Sequence, residues 1–301
     1  MPIGSKKTVV DISLSGLMGG HSGVVIGEGR LNAAKTMTKV LLELDRRLGT
    51  YSALISLNGG KVRNAIMHEM KATIATNKSA SEINDVLGEI REDLLRFSKL
   101  DEEQKMEIHA AESENHPDRA MDYANTNTVL KLLSELPDGL LRWTPEIENL
   151  PQTSSNIGVV KTNSDSVEIH IMSRSSIDAE LQSVRADIAR TARSWNATIV
   201  QPEPYAGWQP VINSMINNLA DETWVRVTGS PLAFVYTHGG LECGVLRARW
   251  PHLEAISVGP TIIDPHTDAE AVNVRSVNRQ YRFTKELLKN ITELGDEVLM
   301  L

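Results

Sequence analysis

The segment Gly16–Gly23 surrounds one histidine, His21, with four glycines. Glycine lets a backbone approach a ligand closely, because it has no side chain in the way. An imidazole presented in this manner can donate a hydrogen bond to an oxyanion that develops during a reaction. The alternative is a glycine-rich turn whose histidine only meets solvent. The segment therefore indicates either a catalytic hydrogen-bond donor or an exposed turn.

A second polar segment, Asn58–Ile66, follows a predicted strand and contains the adjacent pair Arg63 and Asn64. A hairpin at this position can present the Asn64 amide to a substrate carbonyl. A plain turn with solvated side chains is the alternative, since Asn and Gly are common in turns of either kind. Spacing alone leaves the two interpretations open.

Two glycine-containing loops near the end of the chain carry candidate metal ligands. The first is His238–Gly244, and the second is Gly259–Glu270, which contains His266 and three carboxylates. Histidine and carboxylate together suit zinc or manganese. A stable site needs three or four ligands, and carboxylates in loops are commonly solvated. These loops are therefore candidates for ligation, but they do not define a site.

Other segments argue against familiar chemistries. The acidic stretch Asp101–Asp118 contains two histidines without a recurring metal-binding spacing, and is predicted to be a solvated strand edge and loop. Cys243 is the single cysteine and has no base partner by spacing, so neither an intrachain disulfide nor a catalytic thiol is expected. The sequence has no phosphate-binding loop, no dinucleotide fingerprint, no His-Glu-x-x-His helix and no Gly-x-Ser-x-Gly elbow.

The composition is that of a soluble globular protein, with 41% apolar and 23% charged residues in 301. The net charge of -8 argues against a nucleic-acid partner, which would need a basic face. No run approaches the roughly 18 apolar residues of a membrane span, and the first residues lack the apolar core of a signal peptide. The single cysteine suits a reducing compartment. We therefore expect a cytoplasmic protein without membrane contacts.

The elements that must position these segments fall into two parts. In the first part, the order β-α-β-β-α-β predicts an α+β fold, with helices packed on one face of a largely antiparallel sheet. The predicted strands cover 8–14, 51–57, 70–76, 105–111, 156–162, 166–173 and 197–201, and the predicted helices cover 33–48, about 79–94, 120–135 and 179–195.

The composition changes at Gln201–Pro210, which has three prolines and a glycine and is predicted to be a linker. Beyond it the pattern predicts a helix, two short strands and a final helix. These predictions cover 211–220, 223–227, 254–258 and the residues from Ser276 onward. So few strands indicate part of a domain rather than a whole one.

Seven short segments, taken in order, resemble the aminoacyl-histidine dipeptidases, which are cytosolic metallopeptidases of the carnosinase and carboxypeptidase-G2-like group. The segments are Gly16–Gly23, Leu57–Ile66, Thr153–Val160, Ser173–Ser176, Tyr205–Pro210, His238–Gly244 and Gly259–Ile262. Each alone is a weak signal, but as a set they are specific. The resemblance runs from about residue 9 to 292 and so covers nearly the whole chain.

The resemblance implies a two-domain hydrolase. An α/β catalytic domain of the zinc-exopeptidase type holds two divalent metal ions, which can be zinc, manganese or cobalt. An inserted lid domain carries the contacts of a homodimer and closes over a small peptide substrate. By this resemblance, residues 8–203 are the lid and dimerisation domain, and residues 204–301 are the C-terminal part of the catalytic domain.

The resemblance also assigns roles to particular residues. His21 would polarise the scissile carbonyl from the lid, and Asn64 would approach the substrate. Arg174 would clamp the substrate carboxylate, a task that suits its forked guanidinium. His266 would be the one metal ligand from the C-terminal side. The same pocket would be lined by Glu242 and by the backbone of Gly239 and Gly240.

The sequence departs from the family at two loops. Met67 stands where the family tends to have proline, and His266 is followed by Thr-Asp-Ala-Glu rather than Ser-Pro-Asp-Glu. The family's other metal ligands and its glutamate base lie upstream of the lid and have no counterpart here. We therefore expect a fragment of a metal-dependent dipeptidase for peptides with C-terminal histidine, inactive by itself. The alternative is a non-catalytic dimerisation or peptide-binding module derived from the lid.

Overall fold

The chain divides into two compact units, Met1–Glu203 (unit 1) and Pro204–Leu301 (unit 2). The computed structural model describes residues 1–4, 7–96, 98, 100–115, 117–204, 206–212, 214–238, 240–263 and 270–293, without the side chain of Glu102. Each unit has its own elements and its own buried cluster, and each is described separately below.

Unit 1 alternates strands with helices. Its strands are β1 (Thr8–Ser15), β2 (Gly20–His21), β3 (Ala53–Gly59), β4 (Ala65–Ile66), β5 (Met70–Thr76), β6 (Glu107–Glu112), β7 (Gly139–Trp143), β8 (Pro151–Thr162) and β9 (Val167–Ser175). Its helices are α1 (Ala33–Leu48), α2 (Ala80–Arg96), α3 (Tyr123–Glu135) and α4 (Asp178–Ser194). Short 3-10 turns cover Ile26–Glu28 and Asp101–Lys105.

The main sheet of unit 1 has seven strands in the order β6-β1-β5-β3-β8-β7, with β9 paired along the other edge of β8. Every described pairing in it is antiparallel. A separate two-residue ladder joins β2 to β4. This arrangement confirms the predicted fold, in which helices pack on a largely antiparallel sheet.

The helices form where local signals start and stop them. In α1 the side chain of Asn32 accepts a hydrogen bond from the backbone N–H of Ala34 at 2.9 Å, and Gly49 ends the helix in the left-handed conformation with φ 57°. In α2, Ser79 and Glu82 exchange hydrogen bonds as a capping box. These signals explain why α1 begins and ends, and why α2 begins, close to the predicted residues.

One continuous core lies between the helices and the sheet of unit 1. Strand β1 contributes Val10, Ile12 and Leu14, each at most 1% exposed, while the alternate residue Asp11 points away from this core. The period of two is that of a strand with one buried face. Because each fully buried aliphatic side chain stabilises by about 1.5–3 kcal/mol, this core is the main source of stability in unit 1.

Unit 2 is mainly helical in its described residues. It contains α5 (Met215–Thr228), α6 (Glu242–Arg249), α7 (Val274–Glu293) and the two-residue strands β10 (Ile262–Ile263) and β11 (Ala271–Val272). Its buried cluster is small and consists of Ala220, Phe283 and Leu287. None of the helices in the described parts of either unit is both long and apolar enough to span a bilayer.

Three predicted strands are wrong. Residues 223–227 continue α5, because Thr223 is buried one turn after Leu219 and the helix ends only at Gly229. Residues 197–200 alternate in exposure as a strand would, and 254–258 are also non-helical. Within the described residues, however, neither 197–201 nor 254–258 has a strand to pair with. Apolar pattern alone does not make a strand, since a strand needs a partner for its backbone hydrogen bonds.

Candidate functional site

The side chain of Arg30 binds the backbone of the glycine-rich loop Gly16–Gly23 in unit 1. Its guanidinium donates to the carbonyl oxygen of Gly19 at 2.6 Å and forms an ion pair with Glu28 at 2.7 Å. Gly20 has φ 117°, and a Cβ built on it would lie 2.7 Å from Arg30 Nη1. A side chain at this position would therefore displace Arg30. The loop needs glycine here to present the next residue, His21.

His21 is exposed at the end of β2, and its tautomer follows from one contact. The backbone N–H of Gly23 donates to Nδ1 of His21 at 3.2 Å. Because Nδ1 accepts this hydrogen bond, the proton of the neutral imidazole is on Nε2. Nε2 is then a hydrogen-bond donor, as a residue that polarises a carbonyl requires.

The hairpin that carries Asn64 lies directly beside His21. In the ladder between β2 and β4, His21 is opposite Ala65 and Gly20 is opposite Ile66. The carbonyl oxygen of Asn64 accepts hydrogen bonds from both the backbone N–H and the hydroxyl of Ser22, at 2.9 and 3.0 Å. The two segments that the sequence analysis treated separately are thus joined at adjacent residues.

Arg174 completes the cluster from β9, where it is opposite Ser154 of β8. A Cβ built on Gly23 would lie 2.9 Å from Cε1 of His21 and 3.4 Å from Cζ of Arg174. The imidazole and the guanidinium therefore both lie against Gly23, and any larger residue there would push them apart. The structure brings together three of the predicted site residues, although Arg174 is 153 positions after His21 in the sequence.

Strand β8 supports this cluster through residues to which the sequence analysis assigned no role. A Cβ on Gly158 would lie 2.4 Å from the Cα atom of Arg63, so the absence of a side chain lets the hairpin rest on the strand. Nearby, Asn156 contacts the hairpin backbone. Both residues lie in the segment Thr153–Val160, which carries part of the resemblance, and that was the available signal for them.

An acidic side chain anchors the same part of β8. Oδ1 of Asp138 accepts from the backbone N–H of Ile157 at 2.7 Å and from Asn32 Nδ2 at 2.9 Å, while Asn32 also donates to the Ile157 carbonyl at 3.0 Å. Burial raises the pKa of Asp138 to about 6, against the opposing effects of the Ile157 hydrogen bond, the Lys35 charge and the Asn32 hydrogen bond. This carboxyl group links α1 to β8 behind the site.

The remaining predicted residues belong to unit 2. Gly240 is half-buried, and Glu242 is exposed in the first turn of α6. Gly239 and His266 lie outside the described residues, so their predicted roles stay predictions. His238, by contrast, is 1% exposed and is part of the packed interior of unit 2.

Unit 2 also contains an apolar cavity of about 420 Å³. Its wall includes Trp208, Trp224, Phe234, Leu241 and Phe283. Neither Gly240 nor Glu242 lines it, so the cavity and the predicted substrate-lining residues are different places in unit 2. The cavity wall is mostly aromatic and aliphatic, which suits apolar packing.

The described residues do not fit a metal site. No three side chains of the types His, Cys, Asp and Glu come together closely enough within these residues to hold an ion. Zinc sites in proteins use three or four such ligands. What the described part of the chain offers is an imidazole and a guanidinium that both lie against Gly23, next to the hairpin of Asn64, and these groups can bind and polarise a substrate.

The fold of the chain is shared with a solved dipeptidase structure. The structure is similar to the crystal structure of aminoacylhistidine dipeptidase from Vibrio alginolyticus, with a TM-score of 0.80 and 28% identity. The match covers 96% of this chain and 59% of that chain. This likeness agrees with the resemblance that the seven sequence segments show.

The chain is homologous to the cytosol non-specific dipeptidase of Escherichia coli strain K12, with 34% identity over 284 residues. The aligned part is 93% of this chain and 57% of the relative. The chain thus spans a little more than half the length of the two dipeptidases that it matches. No family model matches the chain.

Proposed function

We propose that this chain is the substrate-facing part of a metal-dependent dipeptidase for small peptides with C-terminal histidine, and that it does not hydrolyse them by itself. The observation that carries the proposal is the packing of His21 and Arg174 against Gly23, beside the Asn64 hairpin that Ser22 binds, in a chain homologous to a dipeptidase. On this proposal unit 1 is the lid, and unit 2 is the C-terminal part of the catalytic domain.

The three residues have separate tasks in the proposed reaction. His21 donates from Nε2 to the carbonyl oxygen of the scissile bond as negative charge develops on it. Arg174 binds the terminal carboxylate of the peptide through two parallel N–H donors. Asn64 holds the peptide between them with its side-chain amide. Binding the carboxylate and the carbonyl at once fixes the peptide bond in one orientation.

The complete enzyme would use two divalent ions, zinc, manganese or cobalt, to supply an activated water. No three possible ligands come together within the described residues, so we assign to this chain the binding and polarising of the substrate and one ligand of the metal site. His266 is proposed as its one metal ligand, and the backbone of Gly239 and Gly240 together with Glu242 are proposed to line the substrate pocket.

The proposal predicts that the chain alone does not turn over β-alanyl-histidine in the presence of zinc, manganese or cobalt. Metal-dependent hydrolysis that is lost in His266→Ala, but kept in the control variant His252→Ala, would overturn it. His252 is a suitable control because it is an exposed histidine of the same unit.

A complementation assay tests the same proposal in the positive direction. We expect turnover when the chain is combined with the segment that dipeptidases of this family carry before the lid. His21→Ala should then lower kcat about 100- to 1,000-fold, the usual effect of removing an oxyanion donor. The exposed strand residue His109 provides the control variant, His109→Ala. Peptide binding without turnover in this assay would favour the alternative, a non-catalytic peptide-binding or dimerisation module.

Two further properties belong to the proposal. We propose a homodimer formed through unit 1, supported by the outer strands β6 and β9, each of which pairs with one neighbour among the described strands. Sedimentation that shows only monomers at micromolar concentration would contradict it.

We also propose the cytoplasm as the compartment, supported by the name of the Escherichia coli relative, with neither nucleic acid nor membrane as a partner.

A further inference from the structure

One buried polar side chain in the middle of β8 binds the hairpin that carries Asn64. Asn156 is 1% exposed, and its Nδ2 donates to the carbonyl oxygens of Arg63 and Ala65 at 2.9 and 2.8 Å. Both partners are acceptors, so they define which end of the amide is the NH₂ group. A single side chain therefore holds the backbone on both sides of Asn64.

The hairpin passes this constraint to His21. The Asn64 carbonyl, which lies between the two carbonyls bound by Asn156, accepts both hydrogen bonds from Ser22. Ser22 follows His21 directly, and the ladder between β2 and β4 has only two residue pairs. Such a short ladder has little stability of its own. The position of His21 thus depends on the hydrogen bonds that join the hairpin of β4 to Asn156 of β8.

Asn156 is an unfavourable choice if packing alone decides. Its Oδ1 atom is buried and accepts no hydrogen bond from the described residues. A buried acceptor without a donor destabilises a fold, and an apolar side chain of similar size would avoid this. The nearby Gly158 also suits the hairpin, because a Cβ at this position would collide with the backbone of Arg63. The two observations point to the hairpin as the reason for both residues.

We propose that Asn156 is a positioning residue, whose two N–H donors fix the hairpin and thereby orient Asn64 and His21 towards the substrate. The substrate part of this statement rests on the proposed function. The structural part of the proposal concerns only unit 1. Without the two N–H donors of Asn156, the hairpin separates from β8 and β2 loses its pairing with β4.

Amide hydrogen exchange on the full chain tests whether Asn156 fixes the hairpin. Asn156→Asp keeps the shape but replaces the donors with a carboxylate that faces two carbonyls. Asn156→Leu removes the donors and also the Oδ1 atom that lacks a donor. We expect the amides of residues 20–24 and 62–66 to exchange about tenfold faster in both variants, as the loss of one to two hydrogen bonds predicts. The ladder between β1 and β5 should keep its rate in Asn156→Leu.

The control is Thr76→Val, a change of the same buried sheet that keeps size and shape. Thr76 is 1% exposed, and its hydroxyl has no hydrogen-bond partner among the described residues. The control should leave the hairpin amides unchanged. Unchanged exchange of residues 20–24 and 62–66 in Asn156→Leu would overturn the proposal. It would also be overturned if exchange in that variant rose equally in β1 and β5.

A second readout follows His21 itself. In carbon-proton correlation spectra, the imidazole signal of His21, assigned with His21→Gln, should shift or split in both Asn156 variants. The signals of the exposed histidines His109 and His170 should not move. An unmoved His21 signal would refute the link from Asn156 to His21. Neither measurement needs turnover, so failure of this proposal is distinguishable from failure of the peptidase proposal.

Discussion

The two units of this chain differ most in how much apolar surface they bury. Unit 1 closes a continuous core between four helices and a seven-stranded sheet. Unit 2 buries three apolar residues in its central cluster. Among the described residues, 19 large apolar side chains are exposed in unit 2 and eight in the longer unit 1. Unit 2 therefore leaves more of its large apolar side chains in contact with solvent than unit 1 does.

The candidate site lies in the unit that has the larger buried core. His21, Asn64 and Arg174 are held by loops and strands that rest on the core of unit 1. In unit 2, the side chain of Val235 is 90% exposed in a segment without helix or strand. Burial of such side chains stabilises a fold. We therefore expect unit 2 to be less stable than unit 1.

The largest expected effect is a difference in amide exchange between the units. In the full chain, amides in the ladder between β1 and β5, such as Val10 opposite Ile74, should open only by global unfolding of unit 1. Amides of α5 and α7 should exchange at least about a hundredfold faster, because little apolar surface covers them. Mass-spectrometric exchange resolves both regions. Strong protection of the amides throughout unit 2 would contradict a lower stability of this unit.

The next effect concerns the two cores. Leu57→Ala removes a side chain that is fully buried in unit 1 and should lower the free energy of unfolding of that unit by about 2–5 kcal/mol. Phe283→Ala in unit 2 should leave the unfolding of unit 1 unchanged. Urea unfolding, followed by exchange in each unit, separates the two results. A shift of the unit 1 midpoint in Phe283→Ala would show that the units unfold together.

An effect of intermediate size comes from Asp138. Its pKa is raised by burial to about 6, so between pH 4 and 6 the folded state binds more protons than the unfolded state. The stability of unit 1 should therefore fall as pH rises through this window, by about 2–3 kcal/mol from this group. Asp138→Asn should remove this dependence and keep the hydrogen bond from Ile157. The measurement is urea unfolding at pH 4, 5, 6 and 7.

Asp11 provides the control for the sign. Burial raises the pKa of Asp11, but hydrogen bonds from Lys71, Thr73 and Ser113 outweigh it and leave the pKa lowered. Its contribution to stability is present above pH 4 and is lost as pH falls, which is opposite to Asp138. If Asp138→Asn and Asp11→Asn changed the pH profile in the same direction, the assignment for Asp138 would be wrong.

The smallest effect compares two helix caps. Ser79→Ala breaks the capping box of α2 and should lower the stability of unit 1 by about 1 kcal/mol. The matched change Ser214→Ala removes the cap of α5, whose hydroxyl accepts from the Asn217 backbone N–H at 3.2 Å. We expect it to leave the urea midpoint of unit 1 where it is. An equal loss in both variants would contradict the separation of the units.

Local patterns were enough for several elements. Helix α1 and strand β5 have the predicted bounds, because the spacing of apolar residues, a capping side chain and a terminal glycine act within a few residues of each other. Strand β7 and helix α6 were not predicted. The residues of β7 are half-buried or exposed, without the apolar alternation of a strand with one buried face, and they pair only because β8 lies beside them.

The available chemistry could be recognised from the sequence: a glycine-framed imidazole at His21, a polar hairpin at Asn64 and a forked cation at Arg174. Only the folded chain shows that the imidazole and the guanidinium both lie against Gly23, that the Asn64 hairpin is bound by Ser22, and that Asn156 and Gly158 of β8 contact that hairpin. The physical reason is the range of the interactions. Glycine conformation and helix caps are local, whereas the order and register of strands depend on hydrogen bonds and packing between residues that are far apart in the chain.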